Sequence, residues 1–130
     1  MKRLLLIVLP LLLIFGCFEP INEETLIDKD GLKYHPDTKE LYSGKVFKIH
    51  MGGKLHLEGS YKNGKKNGLS TEWYENGNIE VQRTFKNGEL DGLNTQWYEN
   101  GQKKVQGIFK AGKQIRSPKK WNEDGSVCND

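Results

Sequence analysis

The sequence WYENG occupies Trp73 to Gly77 and recurs letter for letter from Trp97 to Gly101. A variant of it, WNEDG, follows from Trp121 to Gly125, so each copy starts 24 residues after the one before. A fixed period of this length is typical of repeat architectures, in which one small unit of secondary structure stacks on the next. The chain is therefore predicted to fold as a row of similar units.

Glycine recurs at fixed positions within these units. Three full units begin at Gly44, Gly68 and Gly92. Further glycines lie in the middle and near the end of each unit, at Gly53, Gly77, Gly101, Gly64, Gly88 and Gly112. Because glycine accepts positive φ without steric cost, these positions mark turns. The pairs Asn63-Gly64, Asn76-Gly77, Asn87-Gly88 and Asn100-Gly101 match the type I′ hairpin turn, and Asp91-Gly92 and Asp124-Gly125 are weaker turn signals.

The segments between the turns are predicted to be strands. They are rich in Thr, Val, Ile, Trp, Tyr and Phe, and they lack a sustained 3.6-residue apolar period. We therefore expect an all-β fold, with tandem β-hairpin repeats of 24 residues in an elongated, twisted antiparallel meander sheet. The register is open: a two-residue loop would place Tyr74 opposite Ile79, and a three-residue loop would slip the pairing by one residue.

The repeat also carries a resemblance to a known family. The segment GLSTEWYENGNIEVQRTFKNGELDG, residues 68–92, resembles the MORN-variant repeat of bacteria, in particular secreted or lipid-anchored repeat proteins labelled antitoxin-like. The likeness extends from Gly44 to about Gly125. It implies a stack of β-hairpins and a role in contacting other molecules.

The first residues indicate export. Lys2 and Arg3 precede the apolar run from Leu4 to Phe15, which has the length of a secretory signal and is too short for a spanning helix. The following IFGC resembles the lipobox of bacterial lipoproteins, which implies acylation of Cys17 and a lipid anchor in the bacterial envelope, on its periplasmic or outer face. The alternative is an ordinary secretory signal, with Cys17 free to bridge to Cys128.

Five segments follow from these patterns. They are a signal peptide at 1–16, a polar tether at 17–25, a degenerate capping hairpin at 26–43, three repeats at 44–116 and a truncated repeat at 117–130.

Charge and composition exclude several classes of function. The chain has 20 basic and 17 acidic residues, and loss of Lys2 and Arg3 would leave it nearly neutral. Nucleic acid is therefore not an expected partner, because such proteins carry a concentrated basic face. No catalytic motif is recognisable, so the chain is predicted not to be an enzyme and to use no cofactor. His50, His56 and Glu58 could approach one another as a metal site, but this is not favoured because zinc sites bring four ligands at tight spacing.

Two sets of side chains are candidates for binding. An aromatic ladder is formed by Trp73, Tyr74, Trp97, Tyr98 and Trp121. One member of each Trp-Tyr pair could be buried, and the other could be presented to a protein partner. Lysines cluster around the Lys-Asn-Gly turns and would line one edge of the sheet. We therefore predict a lipid-anchored protein-interaction module, with an antitoxin or immunity role as a special case. The alternative is an envelope structural protein that contacts lipid or peptidoglycan directly.

Overall fold

A computed structural model describes residues 19–129, so the predicted signal peptide and Cys17 lie outside the described residues. Within that range no helix is long and apolar enough to span a bilayer. A single short 3-10 helix (Glu23–Thr25) accompanies the strands of the described part. In chain order these are β1 (Ile21–Asn22), β2 (Ile27–Lys29), β3 (Leu32–Tyr34), β4 (Gly44–Ile49), β5 (Leu55–Lys62), β6 (Lys65–Lys66), β7 (Gly68–Trp73), β8 (Ile79–Lys86), β9 (Glu89–Trp97), β10 (Lys103–Lys110), β11 (Lys113–Gln114) and β12 (Lys119–Lys120).

The long strands follow one another across a single sheet. Its order is β1-β4-β5-β7-β8-β9-β10-β11, with β6 paired to β5 and β12 paired to β10, while β2 and β3 form a separate hairpin. Successive strands pair antiparallel, and only β1 lies parallel to its neighbour β4 among the described strands. The predicted all-β meander of hairpins is confirmed.

At one end of the strands, the hairpins are closed by two-residue type I′ turns. Asn63 and Gly64 have φ values of 49° and 79°, and Lys62 pairs with Lys65 across them. Asn87-Gly88 has the same conformation, so both type I′ predictions are confirmed. The third unit repeats this turn with alanine in the first position, because Ala111 has a φ of 46°.

At the opposite end of the strands, the hairpins are closed by three-residue loops. Gly77 has a φ of 88°, but Asn76 is not in the left-handed region, and the Tyr74 amide donates to the Asn78 carbonyl at 2.9 Å. Trp73 consequently pairs with Ile79, but the register then shifts by one residue, so that Glu72 pairs with Val81. The type I′ prediction is wrong for Asn76-Gly77 and Asn100-Gly101. The reason is that the Asn76 side chain accepts from the Asn78 amide at 2.9 Å, which favours a type I turn closed by glycine.

The remaining turn signals have different outcomes. Asp124-Gly125 is a turn, in which the Gly125 amide donates to the Asn122 carbonyl at 2.9 Å. Asp91-Gly92 is not a turn, because it lies inside β9. Gly92 has a φ of 117° and lies where the pairing of β9 with β8 shifts register, so this glycine accommodates a bulge in the strand.

The two faces of the sheet differ in character. Face A contains Val46, Leu57 and Tyr61, which form the core with Leu26 and Tyr42 from the preceding segment. Face B contains the side chains that alternate with them, including Phe47, Leu69 and Leu93. The packed core therefore lies against the first unit.

The predicted tether is partly built into this core. Within 17–25, residues 21–25 form β1 and the 3-10 helix, and Glu23 is 8% exposed. Its carboxylate accepts from the Tyr61 hydroxyl at 2.7 Å and lies 2.9 Å from Lys48 Nζ and 3.9 Å from Lys66 Nζ. Because these partners satisfy a buried charge, a segment with a polar sequence is packed into the fold.

The Glu23 contacts also set its protonation. Burial alone raises the pKa of the Glu23 carboxyl, but the Tyr61 hydroxyl, Lys48 and Lys66 outweigh it and hold that pKa below its ordinary value. Burial and the nearby Glu23 charge raise the pKa of Tyr61, so its hydroxyl stays a donor.

We expect Glu23→Gln to lower the free energy of unfolding at neutral pH by about 1 to 3 kcal/mol, because charge-assisted hydrogen bonds are lost. The pKa of Glu23 is lower in the folded state, so the stabilisation is complete above the unfolded pKa and disappears as pH falls through the folded pKa. Denaturant titrations should therefore show the deficit shrinking below about pH 4. Glu24→Gln, at an exposed neighbour, is the control, and a pH-independent deficit would contradict the assignment.

Ala111 occupies a turn position that asparagine holds in the other two units. We expect Ala111→Asn to raise the free energy of unfolding by about 1 kcal/mol, because asparagine tolerates the left-handed region better than alanine. Asn87→Ala should have the opposite effect of similar size. Equal stabilities for all three proteins in urea denaturation would refute this reading of the turn.

Candidate interaction surface

The tyrosine of each WYENG copy connects one unit to the next. The Tyr74 hydroxyl donates to the Trp97 carbonyl at 2.7 Å, and the Tyr98 hydroxyl donates to the Trp121 carbonyl at 2.9 Å. In the first unit His50 takes the equivalent place, with Nε2 2.7 Å from the Trp73 carbonyl oxygen. Partial burial, followed by the charges of Glu80 and Glu99, raises the pKa of Tyr74, which keeps the donor protonated.

The asparagine of each copy makes a second connection. Asn76 Nδ2 donates to the Glu99 carbonyl at 2.9 Å, and Asn100 Nδ2 donates to the Glu123 carbonyl at 2.7 Å. The first unit has Gly52 in the place of the asparagine, and there Lys54 Nζ donates to the Glu75 carbonyl at 3.0 Å. Tyrosine, asparagine and glycine thus each have a structural role in the repeated motif.

The tryptophans have a different environment. By strand alternation Leu69, Thr71 and Trp73 lie along β7 on face B, and Leu93, Thr95 and Trp97 lie along β9 on the same face. Thr71 and Thr95 are buried, whereas Leu69 is 57% exposed and Leu93 is 53% exposed. Each column therefore presents leucine and tryptophan around a buried threonine.

Glutamines of the neighbouring strands β8 and β10 bond to the buried threonines of these columns. Gln82 Nε2 donates to Thr71 Oγ1 at 3.4 Å, and Gln106 Nε2 donates to Thr95 Oγ1 at 2.9 Å. At the N-terminal end of face B a groove of about 420 Å³ adjoins Leu69, with Pro20, Phe47 and Leu55 among its lining residues. The result is an open surface of leucine, tryptophan and polar side chains across the second and third units, with Glu80 of β8 between the two tryptophans.

Face A of the same units is mixed, because buried Val81 and the rings of Phe85 and Phe109 lie on the same face as charged side chains. Arg83 Nη1 lies 2.7 Å from Glu72 Oε1, and Lys66 lies over the Phe85 ring at 5.4 Å. The buried Asn94 Oδ1 has no hydrogen-bond partner among the described residues. Leu69 and Leu93, on face B, were not among the predicted binding residues, although the Leu-x-Thr-x-Trp alternation in both units is a signal for them.

The other predicted residues are placed as follows. Trp121 lies at the isolated bridge to Val127, beyond the two columns, and Lys103 Nζ is 5.7 Å from the centre of its ring. The rings of His50 and His56 stack with centroids 4.2 Å apart. Within residues 19–129 no group of three or more His, Cys, Asp or Glu side chains is arranged to bind a metal.

Similarity to a known protein family agrees with the repeat geometry. The family described as MORN repeat variant matches residues 66–87 and 90–111, which cover the second and third hairpins. No curated protein and no solved structure matches the chain.

We expect Tyr74→Phe and Tyr98→Phe each to lower the free energy of unfolding by about 1 kcal/mol, because each leaves a part-buried carbonyl of the next unit without its donor. Chemical denaturation measures the change. Tyr34→Phe is the matched control, since the Tyr34 hydroxyl has no partner among the described residues. Losses equal to that of the control would show that these hydroxyls do not connect the units.

Proposed function

Because the chain is a MORN-variant repeat protein, we propose that it is a non-enzymatic module that binds a protein partner through face B of its sheet. Repeats of this family are in general modules for protein or membrane interaction and are typically non-catalytic. The observation that carries the proposal is the double column of Leu69, Trp73, Leu93 and Trp97.

The different environments of tryptophan and tyrosine within each Trp-Tyr pair support this choice of binding surface. The tyrosine hydroxyls are committed to the backbone of the next unit, so the tyrosines cannot leave their places to meet a partner. Tryptophan is enriched among residues that dominate binding energy, and leucines more than half exposed provide apolar area around it. Between the columns β8 contributes Thr84 and Gln82, with Glu80 at the end near the tryptophans, so a partner has a single carboxylate to pair with or to leave hydrated.

The spacing of the columns sets the size of the contact. They lie on β7 and β9, separated by β8, which places them about 10 Å apart at the usual strand spacing. The groove beside Leu69 extends the same surface toward β4. A protein surface with two or three apolar projections fits this arrangement.

Acylation at Cys17 would hold the module in the bacterial envelope, exported and on the periplasmic or outer-surface face. Two acyl chains anchor a protein stably, whereas one does so only marginally. An antitoxin or immunity role, in which the partner is a harmful protein, is the special case suggested by the family resemblance.

Site-specific crosslinking in the native cells tests the proposal. A photoreactive residue replaces Leu93 on face B or Phe109 on face A of the full-length protein. We expect one abundant protein adduct from position 93 and none from position 109. A Cys17→Ala version tests whether the adduct requires the anchor. Adducts confined to lipid or peptidoglycan, or equal from both faces, would overturn the proposal.

Once the crosslinked partner is identified, its affinity can be measured for variants. We expect Trp73→Ala and Trp97→Ala each to weaken binding by about 2 kcal/mol, roughly 30-fold, as at an interface hot spot. Tyr98→Phe should leave affinity nearly unchanged, because its hydroxyl faces the next unit. Titration calorimetry with the purified partner gives both values, and the reverse pattern would locate the site elsewhere.

A further inference from the structure

Each of the three full units has a β-bulge just after its three-residue loop. The extra residue of the bulge is His56 in the first unit, Glu80 in the second and Lys104 in the third. The His56 ring stacks on His50 with centroids 4.2 Å apart, and Lys104 Nζ lies 5.4 Å from the centre of the Tyr98 ring. Because a bulge redirects its side chain, the extra residue is turned toward the aromatic residue that begins the same loop.

Lysines of the third unit cover aromatic rings at this end of the strands. Lys104 Nζ lies over Tyr98, and Lys103 Nζ lies 5.7 Å from the centre of the Trp121 ring. Both distances are within the ~6 Å at which the face of an aromatic ring attracts a cation. The third unit therefore supplies its own cations to these rings.

The second unit has a carboxylate in the place of that lysine. Glu80 lies on face B between Trp73 and Trp97, and all three side chains are half-buried. Within residues 19–129 Glu80 forms no ion pair. Partial burial deprives a carboxylate of some of its hydration, and a cation that pairs with it offsets that cost. The second unit thus has aromatic rings and a negative charge but no cation of its own.

The charges acting on this place are negative. Partial burial first, and then the charges of Glu80 and Glu99, raise the pKa of Tyr74. Two lysines at the same end of the strands, Lys54 and Lys103, are held elsewhere, by a loop carbonyl and by an indole ring of the next unit. A cation from outside the chain would therefore meet two carboxylates here.

We propose that Glu80, Trp73 and Trp97 form a recognition site for an arginine side chain of the protein partner. A guanidinium stacks on an indole ring and donates two parallel hydrogen bonds to a carboxylate, which these three side chains together can accommodate. The partner would thus supply to the second unit the cation that Lys104 supplies to the third. This inference rests on the proposed function, because the arginine belongs to the protein that covers face B.

Fluorine NMR of the full-length protein labelled with fluorotryptophan tests the site, because the chain has only three tryptophans and each gives one signal. Arginine amide is the probe, and citrulline amide, which has the same shape without the charge, is the matched control. We expect arginine amide to shift the Trp73 and Trp97 signals saturably, at a concentration several-fold lower than citrulline amide requires. The Trp121 signal should not move, because Lys103 already lies over that ring. Equal responses to the two probes would overturn the inference.

Exchange of the bulge residue tests the carboxylate. Glu80→Lys introduces the residue of the third unit at the same bulge, so the hairpin should fold, and the new ammonium should cover Tyr74 as Lys104 covers Tyr98. We expect this variant to lose the response to arginine amide. Glu80→Gln should raise the half-saturation concentration about 2- to 5-fold, the effect of one partly exposed ion pair. Glu75→Gln, at an exposed glutamate of the same loop, is the control, and a response that survives Glu80→Lys would reject the site.

The partner captured by crosslinking at Leu93 separates this inference from the proposed function. Glu80→Lys should weaken binding of that partner several-fold, and a partner variant with its contacting arginine changed to glutamate should restore binding. If the adduct at Leu93 forms but Glu80→Lys leaves the affinity unchanged, face B stands as the docking surface and the arginine site is wrong. If no protein adduct forms while the response to arginine amide still requires Glu80, the cation site is supported and the docking of a protein on face B is wrong.

Discussion

The hydrogen bond from a tyrosine hydroxyl to the tryptophan carbonyl of the following unit is the contact on which the repeat depends. Tyr74 and Tyr98 make it in two units, and His50 makes its counterpart in the first. The asparagines of the same loops add a parallel connection to the next loop. Because these contacts join loops 24 residues apart in sequence, they fix the repeat length and stack the hairpins in one sheet without a large core.

The small size of the core determines which surfaces of the sheet remain uncovered. The packed core lies on face A of the first unit, where Leu26 and Tyr42 cover it and Glu23 is held by Tyr61 and Lys48. The second and third units have no such cover on face B, so Leu69 and Leu93 are more than half exposed. The stacking bonds use tyrosine and asparagine, and the tryptophans are left to the surface. Under the proposed function, partner binding and stability depend on different residues of one five-residue motif.

The sequence predicts the local features of this fold well, because a glycine after asparagine and a strand between two turns depend on near neighbours. The difference between the two turn types was not predictable in this way: Asn76 is held by the Glu99 carbonyl of another unit as well as by its own loop. Glu23 was missed for the same reason, since it reads as part of a polar stretch and its hydrogen-bond partner Tyr61 is 38 residues away. Of the candidate site, the aromatic ladder was visible in the repeat, but the exposed leucines beside it required the strand register.

Hydroxyl-radical footprinting of the full-length protein, once in its native cells and once after purification, tests the central claim that face B is occupied in the cell. Side-chain oxidation of Trp73, Trp97, Leu69 and Leu93 reports on face B, and oxidation of Phe85 and Phe109 reports on face A. The account predicts that the face B residues are protected several-fold in the cells and become reactive on purification, while the face A residues react equally in both samples. Equal reactivity of Trp73 and Trp97 in the two samples would contradict it.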